Sequence, residues 1–255
     1  MATSDNFFDM YSSWASRHNY NEVFSALLGK LSDILNLDSI KSCVIVGPGD
    51  GQREVQLLQQ CAPNVSKIIA VEPDHESAQR LRARLEMSLP GVDSQVIETS
   101  VQSWKGLDQP VDLVVIMRVL YDVYVRPSER KQLLNQLHEQ WLVTGGRVVV
   151  VTASRTRCPD NATQFLARFG TPLTAWEDIE AEFLEAGFVL QHAQEIQTTH
   201  DFSNPDQASL RFFKFLIDKP VTFDDIRIML KETFPEGKSD QLFYMFAVFQ
   251  KAYSI

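Results

Sequence analysis

The sequence is poor in cysteine, short of positive charge and free of long apolar runs, and each shortage removes a class of protein. Three cysteines, Cys43, Cys61 and Cys158, leave an odd one under any pairing and lack metal-ligand spacing. A disulfide framework or metal site is therefore not expected, whereas reduced, packed thiols of a cytoplasmic protein are. Lysine and arginine number 24 against 33 acidic residues, a net charge of −9, which argues against a track for nucleic-acid phosphates. The one basic cluster, Arg80, Arg82 and Arg84, is interleaved with leucines and reads as the solvated face of a helix. No apolar stretch reaches the roughly 18 residues of a membrane span. Nor does Met1 to Phe8 carry a basic region leading into an apolar one, so neither a span nor a signal peptide is expected. Internal repeats and low-complexity tracts are missing as well.

What is present is a chain of 255 residues, 44% hydrophobic, enough for one sizeable core. From residue 42 onward, apolar strand patterns alternate with helical ones across short connections. That alternation predicts an α/β fold: a doubly wound, seven-stranded, mostly parallel sheet covered on both faces. Strands are expected at 42–46, 67–71, 94–98, 112–116, 147–152, 189–197 and 242–249. Helices are expected at 52–61, 75–88 and 127–142, with Pro127 in a first turn and Gly145-Gly146 closing the connection before the next strand. The whole chain reads as a single, monomeric domain. Residues 1–40 form an amino-terminal helical cap, 41–200 a cofactor-binding core, 201–239 a helical insertion placed as a lid, and 240–255 the last strand.

The motif that carries chemistry is Val44 to Gly51, an apolar strand running into Gly47, Gly49 and Gly51. Glycine lets the backbone turn sharply and lets a ligand approach the main chain. A dinucleotide site would want its third glycine at position 52, which is Gln52, and a P-loop would want a Lys-Ser/Thr pair that is not there. Asp50 puts a carboxylate in the loop, so a cationic cofactor without phosphate fits better, and S-adenosylmethionine is such a molecule. About 20 residues on, at the tip of the second strand, Glu72-Pro73-Asp74 offers a carboxylate where ribose hydroxyls would lie. Pro73 ends the strand and holds Glu72 at the rim. The alternative for the loop is a plain strand-to-helix turn, and for Glu72 a solvated carboxylate.

The order of glycine loop, acidic second strand, polar third-strand end (Glu98-Thr99-Ser100) and apolar fourth strand resembles a class I S-adenosylmethionine-dependent methyltransferase. The segment Met117 to Val123, with Phe215-Leu216 in the late insertion, is similar to the histamine N-methyltransferase family over residues 17 to 252 or so. The resemblance implies that Gly47, Gly49 and Gly51 approach the methionine part of the cofactor and Glu72 binds its ribose. Thr99 and Ser100 would meet the adenine, with Met117 beside the cofactor. Tyr121 and Phe215 would wall the acceptor pocket. The acceptor half departs from that family. Arg17 stands where a glutamate is expected, Arg118 where a glutamine is, and Asp122 where a tyrosine is. Two tryptophans are missing near 160–166, leaving Phe165 and Phe169, and a late asparagine gives way to Leu242-Phe243-Tyr244. Histamine itself is not the expected substrate.

The acceptor candidates are Phe7, Phe8, Tyr11 and Trp14, then Arg17, Arg118, Tyr121 and Asp122, with Phe212 and Phe215 from the insertion. The amino-terminal aromatics also read as core positions of a helix. Tyr121 and Asp122 are the catalytic candidates; Asp122 could fix an ammonium or accept a proton. Arg17 or Arg118 could fork a carboxylate, and His18 and His200 are further base candidates. Three functions stay open: N-methylation of a small amine, imidazole or amino-acid-like molecule, O-methylation of a small carboxylate or hydroxylated metabolite, and cofactor-fold binding without catalysis.

Overall fold

A computed structural model describes Met10, Ser13 and residues 15–35, 37–120, 127–154, 175–216 and 220–252, the side chains of Phe212, Phe215, Leu216 and 238–242 excepted. In chain order the elements are α1 (Tyr20–Leu35), β1 (Ser42–Val46), α2 (Gln52–Cys61), β2 (Lys67–Val71), α3 (His75–Ser88), β3 (Asp93–Ile97) and β4 (Val111–Met117). There follow α4 (Pro127–Gln136), β5 (Leu142–Ala153), α5 (Trp176–Glu185), β6 (Phe188–Asp201), α6 (Gln207–Leu216), α7 (Phe223–Thr233) and β7 (Lys238–Lys251). The seven strands form one sheet in the order β3-β2-β1-β4-β5-β7-β6, parallel except for β7. The doubly wound architecture expected from the sequence is the one observed.

The central strands read as unbroken apolar runs because both faces of a parallel sheet are covered. Along β1, Cys43 and Ile45 join a core with Phe24 and Leu28 of α1, Leu57 and Leu58 of α2, and Leu81 of α3. Val44 and Val46 point the other way, into a core with Leu133 and Leu134 of α4 and Phe183 of α5. Cys43 and Cys61 are buried, unoxidised thiols, and burial pushes that of Cys61 up to about 11; Cys158 lies outside the described residues. A third, smaller core gathers Met10, Phe202, Leu210, Phe213, Ile226, Leu230 and Phe234, with α7 started by a reciprocal Thr222–Asp225 cap. Among the described residues no helix is long and apolar enough to cross a membrane.

Several boundaries differ from the sequence reading. The helix expected at 127–142 stops being α-helical at Gln136 and finishes as one π turn, Leu137–Trp141. β5 then starts at Leu142, so Gly145 and Gly146 lie inside the strand, where the β4 pairing shifts register between Val111 and Leu113. β6 and β7 pair from Phe188↔Lys251 to Asp201↔Lys238, well beyond their apolar centres. The amino-terminal helical pattern is interrupted: Arg17 to Asn19 leave the helix, and His18 bridges to His200 at the outer edge of β6.

Candidate cofactor and acceptor site

β1 and β4 are neighbours, yet the chain leaves β1 toward β2 on one side and β4 toward β5 on the other. In open α/β sheets the crevice at such a reversal, outside the carboxyl ends of the strands, is where ligands sit. The glycine loop borders it. Gly47, Gly49 and Gly51 all have left-handed backbones, with φ of 59°, 58° and 71°, a region that other residues enter only with strain. Their surroundings differ. A Cβ on Gly51 would lie 2.2 Å from Cδ1 of Leu81, and one on Gly47 would lie 2.9 Å from Cγ2 of Val119. Among the described residues a Cβ on Gly49 would meet no atom within 4 Å. Two glycines are thus needed for packing, and the middle one leaves main chain that no described residue covers.

Glu72 stands across from that middle glycine, 6% exposed. One carboxylate oxygen accepts from the Gly49 amide and the other from the Asp74 amide, both at 2.9 Å. Burial pushes the Glu72 carboxyl up, while the amides of Asp74 and Gly49 pull it back down. Each carboxylate oxygen has two lone pairs, so each retains capacity for a ribose hydroxyl. Pro73 between them is exposed, and Asp74 caps α3 by accepting from the Ser77 amide at 2.8 Å. The Asp50 carboxylate is turned to Arg84, with Oδ2 to Nη2 at 2.6 Å, and Arg84 Nε also donates to the Asp50 carbonyl at 2.8 Å. Arg84 is therefore a half-buried brace on the glycine loop, unlike the solvated residue expected from its sequence neighbourhood.

The adenine candidates occupy the half-buried turn after β3. The Ser100 hydroxyl donates to Ser103 Oγ and accepts from the Ser103 amide, while the Thr99 amide donates to the Ile97 carbonyl. Beside them Glu98 is exposed and pairs with Arg82 and His75, which lower its pKa through hydrogen bonds, His75 foremost. Met117, 4% exposed, ends β4 within the core that contains Tyr20, Phe24 and Tyr244.

Immediately after β4, Arg118 is the one non-glycine residue with positive φ, 58°, among the described residues. Its amide continues the ladder to the Val151 carbonyl at 2.7 Å. Its guanidinium carbon lies 5.2 Å from the ring centroid of Tyr20 and 5.1 Å from that of Tyr244. Arg17, its partner in the sequence reading, is placed elsewhere. Its Nε donates to the Asp201 carbonyl at 2.8 Å and its Nη1 to the Asn204 carbonyl at 2.7 Å, tying the amino-terminal strap to the end of β6. His18 lies in the same strap. Its Nδ1 must accept, since the Tyr20 amide donates to it at 3.2 Å; Nε2 then carries the proton and faces Thr198 Oγ1 at 3.0 Å. Burial lowers His18 to about 2 and His200 to about 3, with nearby arginines adding to the shift. Neither histidine is a working base near neutrality. The strap and the end of β6 border a shallow cavity of about 380 Å³. Phe7, Phe8, Tyr11, Trp14, Tyr121 and Asp122 lie outside the described residues, as do the side chains of Phe212 and Phe215.

No family profile and no curated protein matches the sequence. Solved structures do match the fold. A methyltransferase candidate from Bacillus halodurans superposes with a TM-score of 0.60 at 16% identity, over 89% of this chain and 100% of the other. The chain has the methyltransferase fold. A geranyl diphosphate methyltransferase in complex with S-adenosylmethionine shares it at a TM-score of 0.51 and 17% identity, over 89% of this chain and 85% of that one. The cyclase SpnF shares it too, at 0.55 and 14%, over 89% and 82%. At these identities the likeness is one of fold, and the histamine N-methyltransferase resemblance gains no support from it.

The residues present fit the cofactor of that fold. A left-handed Gly49 that no described residue covers stands beside a buried carboxylate with spare lone pairs. Sequence reasoning passed over Glu54, Arg53 and Tyr20. Glu54, in the first turn of α2, is 4% exposed, and burial lifts its carboxyl to about 7 against the pull of Arg53. A charged residue inside a helical pattern carries no mark of burial, so no local signal separates Glu54 from the exposed Gln52.

Proposed function

We propose that the chain is an S-adenosylmethionine-dependent methyltransferase that methylates nitrogen on a small amine, imidazole or amino-acid-like acceptor. The pairing of Gly49 with Glu72 carries the reading: bare main chain and a buried carboxylate meet at the reversal point of the sheet. Bound S-adenosylmethionine supplies a methyl group already activated on sulfur, leaving the protein to hold the acceptor in line and exclude water. Glu72 accepts the ribose hydroxyls, the left-handed loop lets the methionine part approach, and Ser100 flanks the adenine. α6 and α7 project from the carboxyl end of β6, the edge where the acceptor enters, and serve as its cover. The strongly lowered basicity of His18 and His200 favours an acceptor that needs no base, as a nitrogen lone pair does. Arg17 and Arg118 in place of the neutral and acidic residues of histamine methyltransferases argue against histamine.

Arg118 at the tip of β4 favours a second reading, methylation of a carboxylate oxygen, which also needs no base. Titration with S-adenosylhomocysteine tests the common part. Absence of binding, or binding indifferent to Glu72→Ala, removes both readings and leaves a protein that uses the fold for another purpose, as the cyclase SpnF does. Incubation with amines, imidazoles, amino acids and carboxylic acids, with the methyl group located by mass spectrometry, separates nitrogen from oxygen.

A further inference from the structure

A second cluster on the carboxyl edge of the sheet is left unused by cofactor binding. Tyr20 on α1 is 1% exposed, and its hydroxyl has no hydrogen-bond partner among the described residues. Burying a hydroxyl without an acceptor gives up its hydration with nothing regained. Packing fixes the ring in place: it stacks on Phe24 at 5.5 Å and meets Tyr244 edge-on at 5.2 Å. Two guanidiniums attend it. That of Arg53 lies 4.7 Å from the ring centroid and is anchored by its Nε to Asn21 Oδ1 at 3.0 Å; that of Arg118 lies 5.2 Å away, carried there on a left-handed backbone. Strained backbones at a ligand crevice are a recurrent mark of function. Among the described residues the titratable groups that act on Tyr20 are these two cations, Tyr244 and one carboxyl, Glu54, whose own burial favours its neutral form. The cluster is rich in donors. It also adjoins the glycine loop, since Val119, next in sequence to Arg118, touches the position a Gly47 side chain would take.

We propose that Tyr20, Arg53 and Arg118 form the binding site for a carboxylate of the acceptor, which makes the substrate an amino acid or another small carboxylic acid. This rests on the methyltransferase reading. The four lone-pair directions of a carboxylate match two guanidinium groups and one phenol, and the hydroxyl that folding leaves unsatisfied is satisfied by substrate. The other carboxylate that could reach this edge is the methionine tail of the cofactor, and the experiment separates the two.

Binding of the common amino acids and of their primary amides is measured by titration calorimetry with the protein saturated in S-adenosylhomocysteine. The proposal expects at least one acid to bind about tenfold or more tighter than its amide. Arg118→Met is expected to erase that preference with the affinity for S-adenosylhomocysteine unchanged, and Arg118→Lys to restore part of it. Tyr20→Phe should weaken the acid while raising the melting temperature of the free protein, a combination that a merely structural tyrosine would not give. Equal loss for acid and amide overturns the site. If Tyr20→Phe and Arg118→Met weaken S-adenosylhomocysteine but not methylthioadenosine, which lacks the amino-acid tail, the carboxylate is the cofactor's and the acceptor assignment falls. A wild-type protein that binds S-adenosylhomocysteine but none of the acids overturns this proposal and leaves the methyltransferase reading standing. One that does not bind S-adenosylhomocysteine removes both.

Discussion

The two sides of the crevice are built by different means. On the β1–β2 side the work falls to backbone geometry and one carboxylate, within a stretch from Gly47 to Asp74 held together by Glu72 and braced by Arg84. On the β4 side it falls to side chains from four separate elements: Tyr20, Arg53, Arg118 and Tyr244. The first arrangement imposes a spacing on the sequence, because glycine is the residue that takes a left-handed turn without strain. The second imposes none, since any helix or strand end can deliver an arginine. A cofactor common to many reactions suits the first, and a particular acceptor suits the second.

The contrast can be broken most forcefully at the glycines. Gly51→Val places a side chain inside Leu81 on an unfavourable backbone, and a loss of about 3 kcal/mol or more in urea unfolding is expected. Gly49→Ala meets only the backbone strain, about 1 kcal/mol, and its main effect should be weaker binding of S-adenosylhomocysteine. Equal destabilisation by the two would dissolve the division between packing and ligand glycines. Next in size, Glu72→Ala should weaken S-adenosylhomocysteine by about 2 kcal/mol, roughly thirtyfold, because it also strips the Gly49 and Asp74 amides of their acceptor. An unchanged titration would remove Glu72 from the cofactor side.

The buried histidines where the strap meets β6 should reveal themselves through acid sensitivity. His18 and His200 keep pKa values near 2 and 3 when folded, against an ordinary 6.5. As pH falls below 6.5 the unfolded chain takes up protons that the folded one refuses, so stability is lost toward pH 3, by about 1.4 kcal/mol per unit for each histidine. Glu54 opposes this. Raised from 4.5 to about 7, it contributes stability below 4.5 that is lost as pH rises to 7. Between pH 4.5 and 6.5 two histidines outweigh one carboxyl, and these groups leave a net slope of about 1.4 kcal/mol per unit. Unfolding midpoints across that window should flatten in His200→Gln; an unaltered slope would show that His200 titrates freely. The smallest effect belongs to Arg84→Ala, whose partly exposed pair with Asp50 contributes about 1 kcal/mol or less. That loss should fade in about 1 M salt, and a loss that persists would mean that Arg84 supports the loop through its bond to the Asp50 carbonyl.

The same contrast explains what was legible in the sequence. β1, β2, α2 and α3 fall where the pattern put them, because a buried parallel strand must be apolar on both faces and a glycine loop must follow it. The antiparallel place of β7 was not legible, since Leu242 to Phe249 reads as an apolar run whichever way it points. The early start of β5 was hidden by Gly145-Gly146, ordinary turn residues that here lie within an irregular stretch of pairing. Arg17 and Arg118 look alike in the sequence, yet one staples a strap to β6 and the other faces two tyrosine rings. Only the packing around them distinguishes those roles.

The position of β7 has a bearing on synthesis. It lies between β5 and β6 and hydrogen-bonds to both along most of its length, so two segments made earlier remain unjoined until residues 238–251 leave the ribosome. Until then β5 presents an open apolar edge, and α6 and α7 follow a β6 that has no partner. Domains form in the order their segments emerge, and an unpaired strand edge invites association with other chains. β5 and β6 thus wait, each from its own synthesis, for β7, which closes the sheet like a keystone.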